Sequence, residues 1–578
     1  MPRMTGKRAL VEMLRAEGVK YVFGNPGTTE LPFIDAIQDA KDIKYINTLF
    51  EGVGAGMADG LARVTQKPSY MSFHISVGVT NSIAVMYNSW RGGTPMVITA
   101  GQASAQLLNH SPTLWSNMVN VMKEYTKWAG EVTTPQDVAP IIRRAFKVAS
   151  TPPTGPVFVD FAWESLNGEA DVDINPSIGG YYRVRPDKDA LQAAARKLAG
   201  AKKPLMLIGD RVSQSPGAPY EVAKIAARLG APIFATSFSE VHVPASDPHY
   251  LGAFDTSWLP LSLKRRFDEA DAILAIGTDV LITTMITPEP PFSGKPKIIH
   301  LDCDDWAIQR SYPVAGAVLG DIKTSLEELG LALDDIMTGA AKSAAGERNK
   351  AVAEEKRRRK EAFQARVKAS WNNRPMSPER WAHEMSKVIA PDVLVCDDSI
   401  TNRGPLLQAV DFDKPGTLVG GRGGSLGFGM GATMGMKLAA PDKAVLGVIG
   451  DGTAMFAIQA LWTGVEYNIP VTWVFCNNRS YKVLRENMVK YLVGTERQSE
   501  FIGMNFYENP LDFVKLGNAF GVEGIRVEDP EKLAPAVRKA LDSGKPYVVD
   551  AIIDDKFDER KYAEDWGQWW VGRSKAGG

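Results

Sequence analysis

The chain contains little cysteine and carries almost no net charge. Its three cysteines, Cys303, Cys396 and Cys476, lie far apart in a sequence of 578 residues. This spacing excludes a disulfide framework and a paired-cysteine metal site, and it favours a reducing compartment, so we expect a cytoplasmic protein. The 66 Lys and Arg residues are balanced by 67 Asp and Glu residues, so no global electrostatic field favours nucleic acid as a partner.

Long apolar runs are also missing. No stretch of about 18 apolar residues occurs, so we expect no membrane-spanning segment. The first residues, MPRMTGKRALVEML, predict an amphipathic helix and lack the apolar core of a secretory signal. The basic run at 354–361 is interpreted as the solvated face of a linker helix, in preference to a nucleic-acid site.

A chain of this length is too long for one core and predicts about three or four domains. Strand-like apolar runs alternate with helical patterns in three blocks, which predicts α/β domains with doubly wound parallel sheets. We assign them to 1–180, 188–335 and 373–554, with a linker helix at 336–372 and a C-terminal tail at 555–578. The tail contains Trp566, Trp569 and Trp570 among basic residues, which fits either a lid over a large, partly anionic ligand or simple packing.

A Gly-Asp-Gly turn and an asparagine pair give the clearest chemical signal. Gly450-Asp451-Gly452 follows the apolar run 444–449, and Asn477-Asn478 follows the apolar run 471–475. We expect both turns at the carboxyl ends of neighbouring parallel strands, with Asp451 and Asn478 in one crevice. A carboxylate and an amide oxygen suit Mg²⁺, and glycines before a helix N-terminus suit a diphosphate.

This pattern resembles the metal and diphosphate motif of thiamine diphosphate enzymes. Such a cofactor also needs a poorly solvated carboxylate that protonates its aminopyrimidine ring. Glu51 fits this task, because it follows the apolar stretch 45–50 and precedes a helix of small residues that permits close approach to a flat ring. The alternative for Glu51 is an ordinary glutamate at a helix start.

Longer segments resemble the superfamily of 2-oxoacid decarboxylases and acetolactate synthases. The pattern is most like that of benzoylformate decarboxylases and 2-hydroxyacyl-CoA lyases, in particular the 2-hydroxyisobutyryl-CoA lyase type. The matching segments are VFGNPGTTELPF at 22–33, LFEGVGAGMADG at 49–60, FHISVGVTN at 73–81, GGSLGFGMGA at 423–432 and GDGTAMFAIQALWT at 450–463. The resemblance implies a pyrimidine-binding, a central Rossmann-like and a diphosphate-binding domain, in that order. It leaves open whether a nucleotide such as ADP occupies the central domain.

The resemblance also implies roles for individual residues. Asp451, Asn478 and the carbonyl of Ser480 would bind Mg²⁺. Gly424 would accept a hydrogen bond from the aminopyrimidine amine, and Leu426 would bend the cofactor. The other implied cofactor contacts are Asn81, Ser399, Thr401, Asn402, Gly450, Gly452 and Thr453.

Five residues are candidates for contact with the substrate. By resemblance, Thr28 and His74 would face the reacting carbon. One of Glu486, Glu496 and Glu500, which follow the metal loop, would act as the base for a substrate hydroxyl. Benzoylformate decarboxylases carry a second histidine in the central domain, whereas residues 277–284 read GTDVLITT. This departure and the tryptophan-bearing tail favour the acyl-CoA branch.

We therefore expect a thiamine diphosphate- and Mg²⁺-dependent lyase that cleaves a 2-hydroxyacyl-CoA to a ketone or aldehyde plus formyl-CoA. A benzoylformate-type decarboxylase is the first alternative, and an acetolactate synthase-like carboligase is the second. A catalytically dead homologue is a third, which the retention of Glu51, Asp451 and Asn478 argues against. Because the resemblance implies that two subunits share each cofactor site, we expect at least a homodimer and commonly a homotetramer.

Overall fold

A computed structural model of the chain describes residues 2–179, 183–237, 239–254, 259–282, 290–295, 297–492 and 497–558. Three six-stranded parallel sheets follow one another along the chain. This confirms the predicted class of three parallel-sheet α/β domains. No helix in these ranges has the length and apolarity that crossing a membrane requires.

The first domain is built on a sheet whose strand order reverses near its centre. Its strands are β1 (Arg3–Thr5), β2 (Tyr21–Asn25), β3 (Lys44–Asn47), β4 (Ser69–Phe73), β5 (Met96–Gln102), β6 (Trp128–Val132), β7 (Pro156–Ala162) and β8 (Glu169–Asp171). Its helices are α1 (Gly6–Ala16), α2 (Leu31–Ile37), α3 (Glu51–Thr65), α4 (Ile75–Gly92), α5 (Met118–Met122), α6 (Val138–Ser150) and α7 (Trp163–Asn167). The order is β3-β2-β4-β5-β7-β6, and β1 and β8 form a separate antiparallel pair.

The central domain has the strand order of Rossmann domains. Its strands are β9 (Pro204–Ile208), β10 (Ile233–Ala235), β11 (Tyr250–Ala253), β12 (Ala272–Ile276), β13 (Ile298–Asp302) and β14 (Gly316–Leu319). Its helices are α8 (Lys188–Ala199), α9 (Asp210–Ser213), α10 (Ala218–Leu229), α11 (Leu261–Glu269) and α12 (Ile322–Ile336), and the long α13 (Gly339–Ala369) leads to the next domain. The order is β11-β10-β9-β12-β13-β14.

The third domain repeats the topology of the first. Its strands are β15 (Leu394–Asp398), β16 (Leu418–Gly420), β17 (Val445–Gly450), β18 (Thr472–Asn477), β19 (Glu523–Val527) and β20 (Tyr547–Ile552). Its helices are α14 (Pro378–Ser386), α15 (Arg403–Ala409), α16 (Phe428–Ala439), α17 (Asp451–Ala454), α18 (Ala460–Glu466), α19 (Lys482–Leu492), α20 (Phe513–Ala519) and α21 (Leu533–Leu541). The order β16-β15-β17-β18-β20-β19 matches that of the first sheet strand for strand.

Each sheet therefore has a point nearer its centre where the strand order reverses. These points lie between β2 and β4, between β9 and β12, and between β15 and β17. In parallel α/β sheets, ligands bind in the crevice beyond the carboxyl ends of the strands at such a point. The fold thus predicts three crevices, one in each domain.

Glycines let α3 of the first domain and α16 of the third domain approach backbone to backbone. A Cβ atom on Gly435 would lie 1.9 Å from the carbonyl oxygen of Met57, and one on Gly60 would lie 2.2 Å from that of Ala432. Buried side chains from both helices, among them Val53, Met434 and their neighbours, belong to one hydrophobic core. This core joins the first and third domains.

Candidate cofactor and active site

The two turns at the carboxyl ends of β17 and β18 meet in the third-domain crevice, as their sequence predicts. Oδ1 of Asp451 accepts the backbone N–H of Gly452 at 2.7 Å, and Oδ2 accepts that of Arg479 at 2.6 Å, next to Asn478. Oδ1 of Asn478 accepts the N–H of Ser480 at 3.0 Å. Burial raises the pKa of Asp451 to about 7, although these backbone donors act in the opposite direction.

The residues predicted to contact the diphosphate lie on two segments beside Asp451, one after β17 and one after β15. Gly450, Gly452 and Thr453 lead into α17, and a Cβ atom on Gly452 would lie 2.4 Å from the ring of Tyr481. These short turns bring backbone N–H groups together beside the buried carboxylate, which is the setting that a metal-bound diphosphate needs.

The second segment follows β15. Ser399 is buried, and its hydroxyl donates to Oδ1 of Asp397 at 2.6 Å, while Thr401 is half-buried. Asn402 is 1% exposed, yet neither polar atom of its side chain has a hydrogen-bond partner among the described residues. Because buried amides are almost always hydrogen-bonded, this unsatisfied amide indicates a place for a polar ligand. The residues present therefore fit a diphosphate and its metal ion.

Asn88, which the sequence did not single out, holds loop 420–425, a loop that begins at the last residue of β16. Oδ1 of Asn88 accepts the N–H groups of Gly423 at 2.9 Å and Ser425 at 3.2 Å, and its Nδ2 donates to the Ser425 carbonyl at 2.8 Å. Gly424 between them is exposed, has φ +84°, and a Cβ atom there would have no neighbour within 4 Å. The loop thus presents the Gly424 backbone to open space.

A buried carboxylate fixes the start of α16, next to Leu426. Oδ2 of Asp398 accepts the N–H groups of Gly427 at 3.1 Å and Gly429 at 3.0 Å. Burial raises the pKa of Asp398 to about 7, and these two hydrogen bonds lower it. Leu426 itself is half-buried.

Glu51 begins α3 at the end of the segment that follows β3. It is 5% exposed, and its carboxylate accepts the amide N–H groups of Asn25 at 3.3 Å and Asn81 at 3.1 Å. Asn81, which we predicted near the diphosphate, thus hydrogen-bonds to Glu51. Two neutral donors hold the carboxylate in place without adding a positive charge.

His74 lies at the first-domain crevice, where it precedes α4. Its Nδ1 is 3.0 Å from Oε2 of Glu30, a carboxylate that is 2% exposed and also accepts the Gly101 N–H at 2.7 Å. The hydrogen bond to Glu30 raises the pKa of His74, and burial opposes this shift. Because Glu30 engages Nδ1, Nε2 is the ring nitrogen that would exchange a proton with a ligand. Thr28 is exposed in the same turn as Glu30.

The predicted glutamates beyond the metal loop are only partly described. Glu486 is half-buried on α19, and Glu496 lies outside the described residues, as do Trp566, Trp569 and Trp570 of the tail. The segment that precedes them contacts α19, since Arg485 forms an ion pair with Asp555. The beginning of the tail therefore lies against α19.

A cavity of about 620 Å³ lies where the three domains meet. It occupies the crevice of the central domain, beyond β9 and β12, and extends to Gly423 and Gly424. Six cationic and three acidic side chains line it, and Trp306 at its wall is 72% exposed. Lys264 and Arg266, two further cations of the central domain, form ion pairs with Asp268 and Glu355.

Sequence reasoning missed Glu30, Asn88 and Asp398. Glu30 lies inside the quoted segment VFGNPGTTELPF and Asp398 immediately precedes Ser399, so their positions gave a weak signal. Asn88 gave none, because nothing local distinguishes it from a solvated helix residue.

Comparisons with family models match all three domains. The "Thiamine pyrophosphate enzyme, N-terminal TPP binding domain" matches residues 4–123, the central domain of the same enzymes matches 191–329, and the C-terminal TPP binding domain matches 403–551. These matches support thiamine diphosphate-binding domains; Mg²⁺ is not shown by them, and ADP is not supported.

Individual proteins agree with this assignment over nearly the whole chain. Benzoylformate decarboxylase of Pseudomonas aeruginosa is 27% identical over 549 residues, covering 94% of this chain and 97% of that protein. The acetolactate synthase large subunit of Haemophilus influenzae is 27% identical, covering 96% and 95%. The solved thiamine diphosphate-dependent 4-hydroxybenzoylformate decarboxylase of Rhodococcus jostii RHA1 superposes with TM-score 0.81 at 25% identity, covering 96% and 100%. The chain therefore belongs to the thiamine diphosphate-dependent enzymes of the benzoylformate decarboxylase and acetolactate synthase superfamily.

Proposed function

We propose that this enzyme is a thiamine diphosphate- and Mg²⁺-dependent 2-hydroxyacyl-CoA lyase, which releases a ketone or aldehyde and formyl-CoA. The observation that carries the proposal is the cavity of about 620 Å³ that extends from Gly424 to Trp306. Pockets of about 300–1,000 Å³ take ligands much larger than a small 2-oxoacid. A coenzyme A thioester needs such a space beside the cofactor.

The charge and lining of the cavity fit a phosphate-bearing substrate. Its six cations outnumber its three carboxylates. Both hydrogen bonds of Lys127 Nζ go to carbonyl oxygens, of Val148 and Thr151. A phosphate beside Lys127 would compensate this charge, and the exposed indole of Trp306 would stack on an adenine.

The histidines of the central domain support the same choice. His242 is buried against Ser237 and Asp210, and Nε2 of His300 hydrogen-bonds to the carbonyl of Thr278. His249, the third histidine of this domain, hydrogen-bonds to Asp247 and Asn349. None of the three lines the cavity, and residues 277–282 contain no histidine, which argues against the proton-transfer pair expected of a benzoylformate decarboxylase.

The first-domain and third-domain crevices would hold the cofactor. We propose that Asp451, Asn478 and the Ser480 carbonyl bind Mg²⁺, and that Glu51 holds a proton at the aminopyrimidine ring. When bound, thiamine diphosphate supplies the electron sink for carbon–carbon cleavage. Nε2 of His74 would then move a proton at the substrate, with Glu486 or Glu496 as the alternative base.

The direct experiment compares substrates on the purified holoenzyme. We expect formyl-CoA, detected by liquid chromatography, from 2-hydroxyisobutyryl-CoA or a related short 2-hydroxyacyl-CoA. Trp306→Ala should raise KM for the thioester several-fold, whereas the matched control Trp163→Ala, an exposed tryptophan outside the cavity, should not. Rapid CO₂ release from benzoylformate without any formyl-CoA would overturn the proposal.

A benzoylformate-type decarboxylase is the second candidate, because the curated relative from Pseudomonas aeruginosa bears that activity in its name. A 2-hydroxyacyl-CoA would need the cavity beside Trp306, whereas a small 2-oxoacid would not. Trp306→Ala would leave the KM of a small 2-oxoacid unchanged, so the same variant separates them.

We also propose that two subunits share each cofactor site in a cytoplasmic homodimer or homotetramer. Coexpressing Glu51→Gln with Asp451→Asn tests this arrangement. If each site combines two subunits, mixed dimers keep one intact site and the preparation regains about a quarter of the activity. If each chain supplies its own site, the mixture stays inactive.

A further inference from the structure

A buried ion-pair junction ties all three domains to loop 420–425. Oε1 of Glu240, in the central domain, accepts Nε of Arg63 at 2.6 Å and also Nη2 of Arg422. The side chains of Arg63 and Arg422 are each 2% exposed, and that of Glu240 is 6% exposed. Arg63 belongs to α3, Glu240 follows β10, and Arg422 belongs to the loop itself.

The same junction fixes the backbone at the base of the loop. Nη1 of Arg63 donates to the Gly420 carbonyl at 2.8 Å, and its Nη2 donates to the Ser239 carbonyl at 2.7 Å. The Gly420 N–H donates to the Ser239 carbonyl at 2.7 Å. The Arg422 side chain extends to the carbonyl of Gly92 at the end of α4. The loop is therefore held from the first and the central domain at once.

Glu240 is the carboxylate that pairs with both guanidinium groups, and the buried Asp59, 3.3 Å from Nη1 of Arg63, is a second partner for Arg63 alone. Burial opposes the charge of Glu240, but Arg422 and Arg63 outweigh it and hold the pKa of Glu240 below its usual value. A charge left unpaired in such a site is costly, so loss of the Glu240 carboxylate would drive Arg422 toward water, whereas Arg63 would keep its pair with Asp59. Arg422 would then draw Gly423 and Gly424 with it, since all three are contiguous.

We propose that Glu240 is a positioning residue, through which the central domain sets the affinity for the pyrimidine end of the cofactor. The inference rests on the proposed placement of the aminopyrimidine against Gly424. Both arginine partners of Glu240 reach this loop or its strand, whereas Asp451 and Asn478 lie at the ends of β17 and β18. The predicted effect is therefore confined to one end of the cofactor.

This asymmetry gives a readout that a general loss of stability would not produce. Thiamine diphosphate carries a pyrimidine, whereas inorganic pyrophosphate offers only the diphosphate end. In Glu240→Gln we expect the dissociation constant of thiamine diphosphate with Mg²⁺ to rise about tenfold, comparable to the loss of supporting contacts at other bound groups. The dissociation constant of Mg²⁺-pyrophosphate should stay within about twofold, because its ligands are unchanged.

Glu384→Gln is the matched control. Glu384 has a 2% exposed side chain on α14 and also pairs with two cations, Arg380 and Lys387, each at 2.8 Å. It lies in the third domain and forms no part of the junction described above. We expect both dissociation constants of this variant to equal those of the wild-type protein.

The apoprotein of each variant is titrated by calorimetry, and its melting temperature is measured in parallel. A selective loss for thiamine diphosphate supports the inference, and equal losses for both ligands, or none, would overturn it. If Glu240→Gln does not fold, Glu240→Asp keeps the charge but shortens its reach, and the same selectivity is required of it. Failure of the wild-type protein to bind thiamine diphosphate would instead refute the cofactor placement, and the absence of formyl-CoA would refute only the proposed reaction.

Discussion

A glycine-to-alanine substitution should destabilise the protein at Gly435, where α3 and α16 cross, and stabilise it at Gly346, where an added Cβ atom has no neighbour. A Cβ atom on Gly435 would lie 1.9 Å from the Met57 carbonyl oxygen, about 1.5 Å short of an ordinary contact. This oxygen belongs to the backbone of a buried helix and cannot rotate away. Gly435→Ala must therefore push the helices, and the two domains that carry them, apart.

The magnitude follows from two opposing terms. Alanine in place of glycine favours a helix by about 1 kcal/mol. Overpacking a tight interior costs about 1–3 kcal/mol and sometimes more, and a backbone-to-backbone contact belongs at the upper end. We expect a net loss of about 2 kcal/mol, which lowers the melting temperature by about 4–8 °C for a domain of this size.

Gly346→Ala is the control. Gly346 lies inside α13, and a Cβ atom there would have no neighbour within 4 Å. Only the propensity term remains, so this variant should melt about 2–4 °C higher. Both variants are compared with the wild-type protein by circular dichroism. A Gly435→Ala variant that melts at or above the wild-type temperature would refute the reasoning about this contact.

Three further predictions concern the site itself. Glu51→Gln should reduce turnover by at least about a hundredfold with an unchanged circular dichroism spectrum, since it removes the proposed acid while keeping its shape; wild-type turnover would contradict its role. Glu30→Gln should lower the pKa of His74, measured by ¹⁵N-histidine NMR, because the hydrogen bond to Glu30 raises it. Below pH about 6.5 this hydrogen bond contributes its full stability to the fold, and the contribution falls as the pH rises through the pKa of His74 in the folded protein. The melting temperatures of wild type and variant should therefore converge toward pH 8, and a difference that grows with pH would contradict the prediction. Thiamine diphosphate with Mg²⁺ at about 100 times its dissociation constant should stabilise the wild-type protein by about 2.7 kcal/mol, and chelation or Asp451→Asn should remove most of this gain; equal stabilisation of the variant would exclude Asp451 as a ligand.

The fold class could be predicted because alternating apolar strands and helical patterns are local signals. The strand order could not, because pairing such as that of β15 with β17 joins segments that are far apart in sequence. The two candidate metal turns gave local signals for the same reason. Asp451 lies between two glycines directly after an apolar strand, and Asn478 lies in an asparagine pair directly after the next strand.

The supporting residues were beyond sequence reasoning, because their partners come from distant segments. Glu30 engages Gly101 and His74, and Asn88 engages loop residues more than 300 positions away. Neither residue type is unusual on a helix or in a turn. Only the fold brings these donors and acceptors together.

The repeated strand order places two candidate site residues at equivalent positions. In the first domain the strand order reverses between β2 and β4, and in the third domain it reverses between β15 and β17. His74 directly follows β4, and Asp451 directly follows β17. The central domain has a different strand order and therefore a separate crevice, with its own cavity. Under the proposed reaction, an acyl-CoA substrate would extend into that cavity, so side chains such as Lys127 and Trp306, more than the cofactor residues, would distinguish it from a small 2-oxoacid.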